Sequence, residues 1–208
     1  SSKNVSEFDL EKIKNEDYHV EPSQYQEKEY KRYEVSEDGI SPLAYPGLIP
    51  GSTVLADSDE HDEKGHIVED AATRYKMVNK RARKQDKLIE EDLQEPQYHG
   101  SDNIDYLLLS WGSTYGPVKE ALEILQEEGT AAGYLSFSDI WPLPQDKLKQ
   151  YADKAEKVIV VENNSTGQFG KLITGETGIT IDEQILKYDG RPFSGEEIYQ
   201  RLQEEVIQ

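Results

Sequence analysis

The sequence has no cysteine, which excludes disulfides, thiolate zinc sites, a cysteine nucleophile and a conventionally ligated iron–sulfur cluster within this chain. Long apolar runs are also missing. The longest, such as Val158-Ile159-Val160-Val161, fall far short of the roughly 20 residues a membrane span needs. Behind Ser1-Ser2-Lys3 there is no apolar stretch of the signal-peptide kind, so a cytoplasmic location is expected. Positive charge is scarce: 23 Lys and Arg stand against 42 Asp and Glu, a formal charge of −19, which argues against a surface that binds nucleic acid throughout. What remains is 208 residues, 35% hydrophobic and 31% charged, enough for one domain or two small ones.

The two halves are patterned differently. Residues 1–103 are polar and weakly periodic, whereas four short apolar runs follow at 104–109, 131–137, 157–161 and 184–188. Their starts lie 27, 26 and 27 residues apart, the length of a strand, a turn, a helix and a return, which is the repeat of a parallel sheet. Between them, Val118, Ala121, Leu122 and Leu125 fall on one helical face, and Leu148, Tyr151, Ala152 and Ala155 repeat that spacing. Phe169, Leu172 and Ile173 give a shorter helix, and Ser194 with Glu197 forms a capping box before a helix burying Ile198, Leu202 and Val206. Runs such as 158–161 do not alternate, as expected of strands covered on both faces. The pattern predicts an α/β fold, a three-layer α/β/α sandwich over 104–208.

In the first half, 41–51 carries three prolines and two glycines and cannot be regular structure. Residues 8–14 and 25–32 read as short helices or ordered loop, 71–93 as one helix, and 95–103, with Pro96 and Gly100, as a linker. Residues 72–88 hold seven Lys and Arg against Asp86, and 57–70 hold seven acids against Lys64. Two solvated segments that neutralise each other are the plain reading; a phosphate-facing helix is the alternative.

Several loops are candidate sites. Ser110-Trp111-Gly112-Ser113-Thr114 follows the first run, where open α/β sheets bind ligands, and Ser113 or Thr114 is placed to cap the next helix. The loop from Glu162 to Lys171 superficially suggests a phosphate loop but fails: Ser165 stands where the first Gly is required, and Leu172 replaces the magnesium-binding hydroxyl. Gly112, Ser113, Thr114, Asn164 and Gln168 in these loops, with Arg191 beyond the fourth run, are candidate anion or interface positions. His61 and His66 lie among carboxylates at a spacing that matches no zinc signature, so no metal site is expected, and Asp59, Glu60 and His61 are candidates for a polar loop lining a substrate pocket.

Taken together, seven stretches resemble the α subunit of 2-oxoacid:ferredoxin oxidoreductases, most closely the 2-oxoglutarate type. They are Tyr30-Lys31-Arg32-Tyr33; Ser41-Pro42 with Pro46-Gly47; Asp57-Ser58-Asp59-Glu60-His61-Asp62 with Gly65-His66; Arg74 with Lys80, Arg81 and Lys84; Gly112-Ser113-Thr114 with Gly116-Pro117, Glu120 and Ala121; Val160-Val161-Glu162 with Asn164 and Gly167-Gln168; and Tyr188-Asp189-Gly190-Arg191-Pro192-Phe193. Their order over 30–197 makes the match specific, although Leu43 stands where the family usually has Arg.

The resemblance implies an enzyme that oxidatively decarboxylates a 2-oxoacid on thiamine diphosphate with magnesium, passes electrons through an iron–sulfur cluster to ferredoxin and transfers the acyl group to coenzyme A. The cofactor and cluster would sit mainly on a β subunit. The family's Tyr-Pro-x-Thr-Pro-type motif is absent, so the chain resembles the C-terminal portion of an α subunit, inactive alone. Residues 1–95 would be the tail of the domain facing the thiamine pyrimidine plus linker, and 104–208 would resemble the transketolase C-terminal domain, a mostly parallel five-stranded sheet. Asp59, Glu60 and His61 would then shape the 2-oxoacid and coenzyme A pocket, and the basic helix around Lys80 and Lys84 would meet a coenzyme A phosphate or a partner. Self-association through the α/β domain is a further expectation. A non-catalytic assembly module with the same fold is the competing reading, and a transketolase or dehydrogenase fragment a third.

Overall fold

A computed structural model describes residues 10–13, 17–56 and 58–207. The chain divides into two compact units, Phe8–Asp92 and Leu93–Gln208, described separately below.

The second unit is built on a five-stranded sheet in the order β1-β3-β2-β4-β5. Its strands are β1 (Gln97–Gly100), β2 (Tyr106–Trp111), β3 (Ala132–Phe137), β4 (Lys157–Glu162) and β5 (Glu183–Leu186). β2, β3, β4 and β5 pair in parallel, and β1 runs antiparallel on the β3 edge. Helices α2 (Tyr115–Glu127), α3 (Asp146–Ala152), α4 (Gln168–Thr177) and α5 (Gly195–Leu202) cover it.

The pleat sorts neighbouring residues into two cores. Leu108, Tyr134, Ile159 and Val161 pack with Val118 and Leu122 of α2 and Ile198 and Leu202 of α5. Leu107, Leu109, Leu135, Val158 and Val160 pack with Leu148 of α3 and with Phe169 and Ile173 of α4. Alternate residues enter opposite layers, which is why the strands read as unbroken apolar runs. The expected three-layer, mostly parallel five-stranded fold is the one observed.

Three local expectations are corrected. The segment 95–103 is not a simple linker, because Gln97–Gly100 pairs with β3. Four residues are too few to show periodicity, and Pro96 sits where an edge strand tolerates it. The pairing also needs Gly133, where a Cβ would lie 2.5 Å from the Tyr98 hydroxyl. Thr114 does not cap α2 with its side chain; its hydroxyl donates to the Trp111 carbonyl at 2.8 Å within a 3-10 turn, Gly112–Thr114. The capping box of α5 is half formed: Ser194 Oγ accepts the Glu197 N–H at 3.1 Å, while the Glu197 carboxylate binds Lys187.

The first unit has one long helix, α1 (Ala71–Glu91), whose N-cap Asp70 accepts from the Thr73 N–H at 2.8 Å. The rest is loop around a small core of Tyr30, Ala44 and Ile49. The Tyr30 hydroxyl accepts from the Ala44 N–H and donates to the Pro42 carbonyl, so the proline-rich segment is ordered without a ladder. Gly39, at φ +77°, passes so close to α1 that a Cβ would collide with the Lys80 carbonyl. Of the 8–14 segment, Leu10–Lys12 forms a single 3-10 turn and Phe8, Asp9 and Lys14 lie outside the described residues; within 25–32 only the end of the 3-10 turn Pro22–Tyr25 is helical. Asp57, the first residue of the acidic run, also lies outside them.

Candidate functional site

β2 and β4 are neighbours in the sheet, yet α2, which follows β2, lies in one helix layer and α4, which follows β4, in the other. Their outgoing loops therefore diverge and leave a crevice at the carboxyl ends of the strands, the place where open α/β sheets receive ligands. A cleft of about 890 Å³ opens there. Ser113, Thr114, Asn164, Gln168 and Arg191, separated by up to 78 residues in sequence (191 − 113), all line it. Gly112, at φ +62°, starts the turn that carries two of them.

The floor of the cleft is organised by a residue the sequence reading quoted without giving it a task. Glu162, the last residue of β4, is 1% exposed. Its Oε2 accepts from the Phe169 N–H at 2.9 Å and from Asn164 Nδ2 at 2.6 Å, and its Oε1 accepts from the Gly170 N–H at 3.0 Å. The carboxylate thus takes up the unpaired amides of the first turn of α4, where negative charge is favoured. Asn164 Oδ1 accepts from the Gly167 N–H at 2.8 Å, and Gly167 adopts φ +60°, where a side chain would run into Gln184. The likeness to a phosphate loop is thereby explained: this helix start holds an anion, and the anion belongs to the chain.

Across the cleft, β5 hands over to Lys187, whose Nζ pairs with Glu197 and lies 5.5 Å from the Phe193 ring centre. The turn at Asp189-Gly190 is closed by Asp189 Oδ1, which accepts from the Arg191 N–H at 2.9 Å. Trp111 and Tyr188, 40% and 73% exposed, also line the cleft. Sequence reasoning quoted both within candidate stretches without giving either a task; a tryptophan at the end of a buried strand run, where the chain leaves the core, was the available signal.

Asp59, Glu60 and His61 belong to the other unit. Glu60 is gripped by two guanidiniums: Arg81 Nη1 and Nη2 donate to it at 3.0 and 2.8 Å, and Arg74 Nη1 at 3.0 Å. The fork of Arg81 holds its carboxyl well below the usual range, at about 2. The His61 ring is 4.0 Å from that of Tyr33, and its Nδ1 lies 3.1 Å from the Asp59 carbonyl. Glu63 accepts from Lys76 and from the Val35 N–H. Asp62 accepts from the Lys64 and His66 N–H groups, closing the turn between the two histidines. Among the described residues no group of three or more His, Asp or Glu could hold a metal ion.

The basic helix serves this loop. Lys80 is 2% exposed and donates to the Tyr33 carbonyl at 3.0 Å; burial, together with Lys84, Arg32 and Arg81 nearby, pulls its ammonium down to about 8. Arg83 donates to the Ser36 carbonyl. Basic helix and acidic segment neutralise each other, the plainer of the two sequence readings. Among the described residues no helix is long and apolar enough to cross a membrane.

This architecture matches a known class of domain. Residues 104–202 fit the family model described as pyruvate:ferredoxin oxidoreductase core domain II. The chain is 40% identical over 173 residues to the α subunit of 2-oxoacid:ferredoxin oxidoreductase 2 of Aeropyrum pernix, covering 82% of this chain and 26% of that protein. It is 36% identical to the corresponding α subunit of Saccharolobus solfataricus, over 82% of this chain and 27% of the relative. A solved structure of 2-oxoglutarate:ferredoxin oxidoreductase from Magnetococcus marinus, with 2-oxoglutarate, coenzyme A and succinyl-CoA bound, superposes with a TM-score of 0.75 at 33% identity, covering 88% of this chain and 32% of that one. The chain belongs to the 2-oxoacid:ferredoxin oxidoreductase α-subunit family. It spans about a quarter of the length of the curated relatives named here.

Proposed function

We propose that this chain is the C-terminal portion of the α subunit of a thiamine diphosphate-dependent 2-oxoacid:ferredoxin oxidoreductase that converts 2-oxoglutarate and coenzyme A to succinyl-CoA, CO2 and reduced ferredoxin. The observation that carries the reading is the superposition on the 2-oxoglutarate enzyme over 88% of the chain. More distant support comes from the KorA subunit of the 2-oxoglutarate synthase of Methanothermobacter marburgensis, 26% identical over 76% of this chain.

The residues present do not fit the redox group itself. The chain has no cysteine to ligate an iron–sulfur cluster, and its described residues form no cluster of acids and histidines for a metal ion. Thiamine diphosphate, magnesium and the cluster are assigned to the rest of the complex, chiefly a β subunit, and no chemical step is placed on this chain. Residues 1–95 are read as the tail of the pyrimidine-facing domain plus linker and 104–208 as the second domain, in a cytoplasmic enzyme that self-associates through that domain.

Within this reading Asp59 and His61 face the 2-oxoacid or coenzyme A pocket. Glu60, tied to Arg74 and Arg81, holds the loop that presents them. Gly112, Ser113, Thr114, Asn164, Gln168 and Arg191 form a second, anion-binding or interface edge. The test is reduction of ferredoxin or a viologen dye by the full-length α subunit with its β subunit. Turnover should require coenzyme A and be most efficient with 2-oxoglutarate. Failure of both 2-oxoglutarate and pyruvate to support reduction overturns the reading and favours a purely structural module.

A further inference from the structure

We propose that the cleft at the carboxyl ends of β2 and β4 is a nucleotide site, taking a flat heteroaromatic ring that bears a phosphate or diphosphate. The hydrogen bonding inside the cleft leaves one strong donor group for a ligand. Glu162, its buried carboxylate, is satisfied by two backbone amides and Asn164, so it presents no unpaired acceptor to a ligand. Lys187 is committed to Glu197. Asp189 is turned back onto the Arg191 backbone. The guanidinium of Arg191 is exposed and has no hydrogen-bond or ion-pair partner among the described residues. Among the described residues at this crevice, Arg191 is the cation without a side-chain partner, and its planar guanidinium has phosphate-matching geometry.

The apolar part of the cleft selects a ring. Trp111 and Tyr188 leave indole and phenol surface in the crevice, and stacking of a base on an aromatic ring is tolerant of which base it is. At about 890 Å³ the volume lies within the range of small-ligand pockets, roughly 300–1,000 Å³. A free nucleotide and the adenosine diphosphate portion of coenzyme A share this chemistry. The inference rests on the cleft and not on the oxidoreductase reading, since it needs no turnover.

Trp141→Phe leaves Trp111 as the sole indole fluorophore. In that background ADP should quench the emission saturably, with adenosine and inorganic pyrophosphate binding more weakly. Arg191→Gln should weaken ADP by about tenfold to a hundredfold, with Arg191→Lys in between, and Tyr188→Ala by about fivefold or more, with unchanged circular dichroism. Lys171→Gln, an exposed charge that does not line the cleft, should leave affinity unaltered. Coenzyme A displacing ADP identifies the coenzyme as the source; ADP binding that coenzyme A does not disturb identifies a free nucleotide. Absence of saturable quenching at millimolar ADP overturns the proposal, as does an Arg191→Gln affinity equal to the parent's or a Lys171→Gln loss as large as that of Arg191→Gln.

Discussion

The two units use their charges in opposite ways. In Leu93–Gln208 a covered sheet supplies the cohesion, with two apolar layers in which Leu107, Leu108, Leu109, Ile159 and Val160 are fully buried. In Phe8–Asp92 the buried apolar side chains among the described residues are Tyr30, Ala44, Ile49 and Met77, and the loops are tied to α1 by Glu60, Glu63, Lys80 and Arg83. Where a sheet buries its faces, ion pairs are peripheral; where loops cannot bury enough, polar links fix the geometry. The contrast is one of kind, and it can be broken by perturbations that act on one term at a time.

The largest effect should come from emptying the sheet core. Leu108→Ala is expected to cost about 2–5 kcal/mol in urea unfolding of the second unit, because a position touched on all sides cannot collapse onto the void. A loss below about 1 kcal/mol would show that packing is not what holds this unit. Next comes Glu162→Gln, expected to cost roughly 2 kcal/mol, since an amide NH2 replaces an oxygen that accepted charge-assisted bonds. Hydrogen exchange at the Phe169 and Gly170 amides should accelerate before that of β2, and unchanged protection there would refute the capping role.

In the loop unit, Glu60→Gln should cost about 1–2 kcal/mol at neutral pH, kept below a fully buried pair because Arg74 and Arg81 reach solvent. The sign follows from the depressed carboxyl: its contribution is complete above the ordinary value near 4.5 and disappears as pH falls from there to about 2. Protection of the His61 loop against exchange should drop over that window in the parent and stay flat in Glu60→Gln. The smallest effect belongs to His99, in β1. Burial, then Lys119, holds its imidazole below the usual range, so the folded state resists protonation and loses stability as pH falls below roughly 6.5. His99→Phe should remove that slope, worth under about 1 kcal/mol, in melting curves between pH 7 and 5; a parent without the slope would remove His99 from the account.

Legibility in the sequence followed the same divide. The four parallel strands and their helices were readable because burial on both faces forces apolar runs at a regular spacing, and α1 was readable from its length and its Asp70 cap. β1 was not, since an antiparallel edge strand of four residues depends on what β3 offers it, a small Gly133 under Tyr98, rather than on its own composition. That Ser113, Thr114, Asn164 and Gln168 line one cleft was foreseeable because loops after parallel strands gather at one edge of the sheet, while Arg191 stood out only within the Tyr188–Phe193 stretch. Trp111 and Tyr188 stood in quoted stretches without a task, because aromatic residues beside apolar runs look like core and only exposure separates the two. The neutralisation of 57–70 by 72–88 was legible in the opposed charge runs, but not that Arg74 and Arg81, 14 and 21 residues later, would both close on Glu60.

Because the first amides of α4 are spent inside the fold, recognition at the crevice is left to side chains that carry little of the architecture. Tyr188 and Arg191 lie outside the strands, whereas Trp111 closes β2 opposite Phe137. On the proposed nucleotide reading, selectivity would rest on exposed side chains at this edge, while the buried carboxylate of Glu162 keeps its loop in place whatever is bound.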